Sequence, residues 1–279
     1  MNERDFQVGP RGLTLRLCEW GEPNDRTPIV ILHGFLEQGA AWDRVAAHLP
    51  GRYIVAPDQR GHGLSGHVGA GGFYHFWDYI SDLDALVADL GGEVDLVGHS
   101  MGGTVATYFA GARNKSVRRL VLVEGLGPPD MVSIALQRSR SFLEDLRNPR
   151  SHKPIPDLVD AVRRMRRWNT SIPDYEAERL AQRITRPHPD GGLMWTWDPL
   201  HRASSPYPFS ADLFHTWIRE ITAPTLLVDG STSLFRVPDG AERAASVPNA
   251  TSVTIEDAGH LLHHDRPAAL ARVISEHLS

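Results

Sequence analysis

The chain has 279 residues, 41% of them hydrophobic and 23% charged, and a formal net charge of −5. That length suffices for one large domain with a sizeable core, and the mild acidity, without a long basic run, argues against a nucleic-acid partner. The single cysteine, Cys18, rules out an internal disulfide, and no apolar run nears the roughly 18 residues of a membrane span, so a cytoplasmic protein without membrane contact is expected.

In chain order, LTLRLCEW (13–20) alternates with period two and reads as a strand, and PIVILHG (28–34) is a continuous aliphatic run, as in a strand covered on both faces. AAWDRVAAHL (40–49) reads as a helix, YIVAPD (53–58) as a strand, FWDYISDLDALVADL (76–90) as a helix and VDLVGHS (94–100) as a strand. TVATYFAGA (104–112) is helical and RLVLVEG (119–125) extended. Such alternation implies a mostly parallel sheet with helices on both sides. The pattern breaks at Pro128 and Pro129. Helical stretches follow at 133–147 and 156–168, then a segment rich in Pro, Trp and His. Strands return at APTLLVDG (223–230) and TSVTIED (251–257), before a last helix over 267–278. The expected organisation is one α/β domain, 1–127 and 223–279, interrupted by a helical cap at 128–222.

VDLVGHSMGG sets Gly98, Ser100 and Gly102 directly after a strand and before a helix. A serine in so sharp a turn is flanked by glycines because a Cβ there would clash, and its hydroxyl projects from the carboxyl edge of the sheet. The helix starting at Met101 offers free amides to an oxyanion. GHSMGG resembles the nucleophile elbow of the α/β-hydrolase superfamily. LHGF (32–35) resembles that family's segment after its third strand, and DQRGHGLS (58–65) its Asp-x-Arg-Gly-x-Gly-x-Ser loop, where Asp58 and Arg60 are expected to tie down backbone. The resemblance implies an eight-stranded, mostly parallel sheet, an oxyanion hole from the amides of Phe35 and Met101, and a base at His260 in DAGHLLHHDRP. His33 and His99 are expected to pack and hydrogen-bond. His263 and His264, lacking a third ligand at suitable spacing, are expected to face solvent or lie behind the site rather than bind metal.

An imidazole that becomes cationic during turnover needs a carboxylate partner. Most family members place that acid after the penultimate strand, where this chain has Gly230-Ser231-Thr232-Ser233. Asp257 is too near His260 in sequence to reach back easily, and Asp229 would have to leave a packing position. Glu124 closes the aliphatic strand after the elbow helix, and an unpaired carboxylate buried there would cost several kcal/mol. Haloalkane dehalogenases resemble this chain in placing the acid after that strand. Glu124 is therefore the expected acid, with Asp229 as the alternative.

Serine with a histidine base indicates acyl transfer. The expected activity is hydrolysis of a small, largely apolar carboxylic ester through an acyl-enzyme, with no cofactor and no metal. A C–C bond hydrolase or lactonase would use the same triad, and a non-catalytic ligand-binding fold is the alternative from another class. Between 128 and 222 there are 14 Lys and Arg against 12 Asp and Glu, too even a balance to favour an anionic substrate. Trp168, Trp195, Trp197 and Trp217, with Met194 and Phe214, either line a pocket or form the cap's own core, and the second is expected for most of them.

Overall fold

A computed structural model describes residues 1–9, 12–167 and 170–279. β1 (Asn2–Val8) and β2 (Leu13–Trp20) form an antiparallel ribbon, fixed by pairs such as Asp5 opposite Arg16. The aliphatic runs become β3 (Ile29–Leu32), β4 (Ile54–Pro57), β5 (Val94–His99) and β6 (Val117–Val123). β7 (Thr185–Pro187) and β8 (Leu193–Trp195) make a separate two-stranded ribbon, and β9 (Thr225–Gly230) and β10 (Ala250–Ile255) complete the main sheet. Its order is β1-β2-β4-β3-β5-β6-β9-β10. β2 is antiparallel to both neighbours and every other neighbouring pair is parallel. The expected eight-stranded α/β-hydrolase sheet is thus present.

Because side chains alternate across a strand, the central strands feed two cores. Val30, Leu32, Leu96, Leu120 and Leu122 face one side. There they meet α2 (Phe76–Asp89) and α3 (Met101–Ala112), through Leu83, Leu86 and Phe109. Ile29, Ile31, Val97, Val121 and Val228 face the other, with Trp42 and Val45 before and within α1 (Asp43–Ala46). The helix expected over 40–49 is shorter than read: a 3₁₀ turn at Gly39–Trp42 runs into the single turn of α1.

Between β6 and β9 lie α4 (Ala135–Arg147), α5 (Leu158–Arg166), α6 (Asp174–Arg183) and α7 (Ala211–Arg219). α4 buries no residue fully, while Ile155, Ala161 and Ala181 form a small cluster of their own with Trp195 packed against it. α7 departs from the expected cap at 128–222. Its Phe214 and Ile218 are fully buried in the same core as Phe109, so the final part of that segment belongs to the layer beside α3. α8 (Gly240–Ser246), α9 (Leu262–Asp265) and α10 (Pro267–His277) follow. Among the described residues no helix is long and apolar enough to cross a membrane.

Candidate active site

Ser100 sits between β5 and α3 with φ 51° and ψ −116°, a conformation that L-residues rarely hold. The surroundings impose it. A Cβ on Gly98 would lie 2.6 Å from the Gly102 carbonyl oxygen, and one on Gly102 would lie 2.3 Å from that of Leu32. Only glycine lets β5, α3 and the end of β3 approach so closely, and the serine is carried out to the sheet edge.

His260 lies on the loop between β10 and α9. Its Nε2 is 3.0 Å from Ser100 Oγ and its Nδ1 is 3.2 Å from Glu124 Oε2. A nitrogen facing a carboxylate carries the proton, so Nδ1–H donates to Glu124 and Nε2 is free to accept from the serine hydroxyl. The three expected residues meet.

Glu124 follows β6 with φ 47°, a left-handed turn that takes its side chain off the strand direction and toward His260. Only 1% of that side chain is exposed. The Gly230 amide donates to Oε1 at 2.9 Å, the Ser233 hydroxyl donates to Oε2 at 2.7 Å, and a guanidinium nitrogen of Arg236 stands 3.5 Å from Oε1. Burial pushes this carboxyl up, but the hydrogen bonds from His260, Gly230 and Ser233 together outweigh it and hold the group below the usual carboxylate range. Ser233, at the place where the usual acid would stand, is itself a ligand of the displaced one. Asp229 lies on β9, its residue surface open to solvent while its carboxyl is partly shielded, and that partial burial and the nearby charge of Glu124 push the carboxyl up. Asp257 points to Arg266 at 3.3 Å and is largely exposed. Neither makes a hydrogen bond to His260 among the described residues.

The amides of Phe35 and Met101 donate to no acceptor among the described residues. Phe35 lies on a loop fixed from behind by His33, whose Nδ1–H donates to the Gly34 carbonyl at 2.7 Å and whose Nε2 accepts the Gln59 amide at 2.9 Å. Burial pushes the His33 imidazole down, keeping it neutral as that pattern requires. Asp58 takes the amides of Gly39 and Leu64 at 2.7 and 2.8 Å, and Arg60 grips Asp82 with two nitrogens at 2.7 and 2.5 Å. Asp58 thus ties down backbone, the role expected for it, whereas Arg60 pairs with side chains of α2 rather than with backbone.

Behind the site lies a carboxylate that the sequence reading passed over. Glu37 Oε2 accepts the Gly34 amide at 2.6 Å and stands 2.9 Å from His99 Nδ1, and Oε1 is 3.1 Å from His263 Nε2. His263 is fully buried and stacked on Trp42 at 4.9 Å, and His264 is also buried, so neither faces solvent. The loop LHGFLEQ held one signal: a charged residue set in an apolar segment. Donor atoms of Glu37, His99 and His263 lie within 4.8 Å of one another, the one such trio among the described residues. Any cation there would have to displace the proton between Glu37 and His99.

The aromatic residues of the insertion divide as follows. Trp195 packs on the insertion's own cluster, and Trp197 is buried edge-on against His152. Trp217 and Phe214 pack against Tyr108 of α3, and Met194 pairs with Arg186 in the β7–β8 ribbon. Trp168 lies outside the described residues. At the mouth stand Phe35, half exposed, and Phe235, whose ring is 4.6 Å from that of His260.

The chain has relatives among known proteins. The chain is 30% identical over 277 residues to a 3-hydroxybutyrate-oligomer hydrolase of Cupriavidus necator, covering 95% of this chain and 93% of that one. It is 29% identical over 280 residues to a serine hydrolase-like protein of Danio rerio, covering 95% and 85%. Among solved structures, a thioesterase domain from the curacin biosynthetic pathway superposes with a TM-score of 0.88 at 33% identity, covering 99% of both chains. The profile of the alpha/beta hydrolase fold family matches residues 27–267, and the chain belongs to that family, as a hydrolase of the serine, esterase-like kind.

Proposed function

We propose that the protein hydrolyses a small, largely apolar carboxylic ester through an acyl-enzyme on Ser100. The observation that carries this reading is the unbroken hydrogen-bonded chain from Ser100 through His260 to Glu124. His260 Nε2 takes the hydroxyl proton as Ser100 Oγ attacks the carbonyl carbon, and Glu124 offsets the charge that then forms on the ring. The tetrahedral oxyanion is received by the free amides of Phe35 and Met101, the second at the N-terminus of α3 where the helix dipole adds to it. The same His260 proton passes to the departing alkoxide. Water, activated by His260 in turn, then releases the acid and restores Ser100.

Apolar groups at the mouth, Phe35 and Phe235, favour an apolar acyl or alcohol part. In this reading the segment from α4 to β8 is the cover that limits substrate size. The names of the similar proteins, an oligomer hydrolase and a thioesterase, agree with acyl transfer, so each oxygen ester is best tested beside the thioester of the same acyl group. The test is p-nitrophenyl butyrate turnover with a pre-steady-state burst, together with phosphonate labelling located by peptide mass. Wild type is expected to show a burst and one label on Ser100, and Ser100→Ala neither. Turnover unchanged in Ser100→Ala would refute the proposal.

A further inference from the structure

We infer that Glu37 and His99 form a second acid–histidine pair, placed behind the first, which positions the catalytic base and the oxyanion loop together. The inference rests on the reading of Ser100, His260 and Glu124 as the reacting groups. It begins from proton bookkeeping at His99. That ring is almost completely buried, and its Nε2 is 2.8 Å from the backbone carbonyl of His260. A carbonyl only accepts, so Nε2 carries a hydrogen. Its Nδ1 is 2.9 Å from Glu37 Oε2, an oxygen that already accepts the Gly34 amide. That carboxylate oxygen is an acceptor, so Nδ1 carries a hydrogen as well. His99 is therefore a double donor, an imidazolium clamped between a carboxylate and the loop that presents His260.

One carboxylate thus touches three separate parts of the site and hydrogen-bonds to two of them. Through Gly34 it holds the loop of Phe35, through His99 it holds the residue beside Ser100 and the carbonyl of His260, and through Oε1 it meets His263 on α9. The contact has been given room: a Cβ on Gly34 would fall 2.5 Å from Glu37 Oε2 and 2.9 Å from His99 Nδ1. A buried ion pair is costly unless hydrogen bonds support it, and here Glu37 Oε2 takes the Gly34 amide while His99 Nε2 gives to the His260 carbonyl, both backbone groups of the catalytic loops. A pair kept only for packing would not need its donors and acceptors aimed at those loops.

Titration of His99 should consequently reach catalysis. The titratable groups facing it are Glu37 from the loop after β3, His260 from the loop after β10, His263 from α9, Glu124 from the end of β6 and His33 from the end of β3. Burial pushes the His99 imidazole down, but the charge and hydrogen bond of Glu37 together raise it above its ordinary value. The group keeps both protons below that raised value and, as pH rises through it, gives up the one on Nε2, because a nitrogen facing a carboxylate keeps its proton. A lone pair then faces the His260 carbonyl and the clamp loosens, so kcat declines on the alkaline side.

The experiment compares kcat, KM and the pH profile of kcat for wild type, Ser100→Ala, Glu37→Leu and Glu37→Gln on one nitrophenyl ester, with unfolding midpoints measured alongside. Glu37→Leu keeps the volume and loses the acceptor. It is expected to lower kcat at least tenfold with KM within about twofold. Glu37→Gln, with its amide oxygen in the place of Oε2, can still accept from Gly34 and from the Nδ1–H of His99 but brings no charge, so it is expected to lose less and to show the decline at lower pH than wild type. If Glu37→Leu does not fold, the Glu37→Gln pH profile decides alone. A Glu37→Gln profile superimposable on that of wild type, or a folded Glu37→Leu with wild-type kcat, would overturn the inference. Persistent turnover in Ser100→Ala would instead refute the assignment of the nucleophile, which keeps the two failures apart.

Discussion

The hydroxyl of Ser233 occupies the place where a carboxylate is usual in this family, and it donates to the carboxylate that has moved, Glu124. Removing it in Ser233→Ala deletes one of three close hydrogen bonds to Glu124, including that from His260. Hydrogen bonds to charged groups are worth about 1.5–3 kcal/mol, so kcat should fall several-fold and the unfolding midpoint in urea should drop measurably. The depressed Glu124 carboxyl also makes a prediction with a definite sign. A carboxylate held below its ordinary range contributes stability above its unfolded pKa and loses it as pH falls through the folded value. The difference in unfolding free energy between wild type and Glu124→Gln should therefore be largest near neutrality and shrink on acidification, as urea titrations across pH 7 to 3 would register. Ser100 and His260 were legible because short strings announce them, GHSMGG and DAGH. Glu124 was legible because a charge ending an aliphatic strand needs a partner. Glu37 was not: its histidine partners come from the end of β5 and from α9, and no local spacing marks that convergence.

At the scale of elements, the central strands could be read because burial on both faces leaves aliphatic residues at every position. β1 could not, since it is an edge strand whose charged side chains pair across the ribbon, Glu3 and Asp5 with Arg16. α7 did carry a signal. Ser210 caps it by accepting the Leu213 amide, and Phe214, Trp217 and Ile218 follow at three and four spacing, but the surrounding Pro and Trp residues hid the start. α6 is bolted to the sheet by Arg183, whose guanidinium reaches Asp58 at 2.8 Å, Gln38 at 2.8 Å and Glu3 at 2.8 Å. Arg183→Met would keep most of the packing and leave the Asp58 carboxylate buried without its cation. Breaking a buried pair in this way costs about 3–5 kcal/mol, and equilibrium unfolding in urea should show a loss of that order. The neighbouring Cys18 thiol is pushed up by burial, with the Asp58 charge adding to it, so it should resist alkylation until the protein unfolds.

Across the whole molecule, parallel strands β3, β5, β6, β9 and β10 end at one edge, and the loops leaving that edge supply Phe35, Ser100, Glu124, Ser233 and His260. The alternation of strands and helices made this architecture predictable, whereas the division of the inserted segment was not, because composition does not say which helix returns to the core. α7 does return, while α4 buries nothing fully. Amide hydrogen exchange should accordingly be fast along α4 and slow along α7, since protection follows burial and local stability. The account turns on Glu124 serving as the acid that steadies His260, and the most direct measurement is kcat for Glu124→Gln beside Asp229→Asn, each at a concentration normalised by active folded protein. Loss on the order of a thousandfold in Glu124→Gln, by analogy with triad substitutions elsewhere, and a value within about twofold of wild type in Asp229→Asn are the expected results. The reverse pattern, with Asp229→Asn inactive and Glu124→Gln turning over normally, would contradict the account.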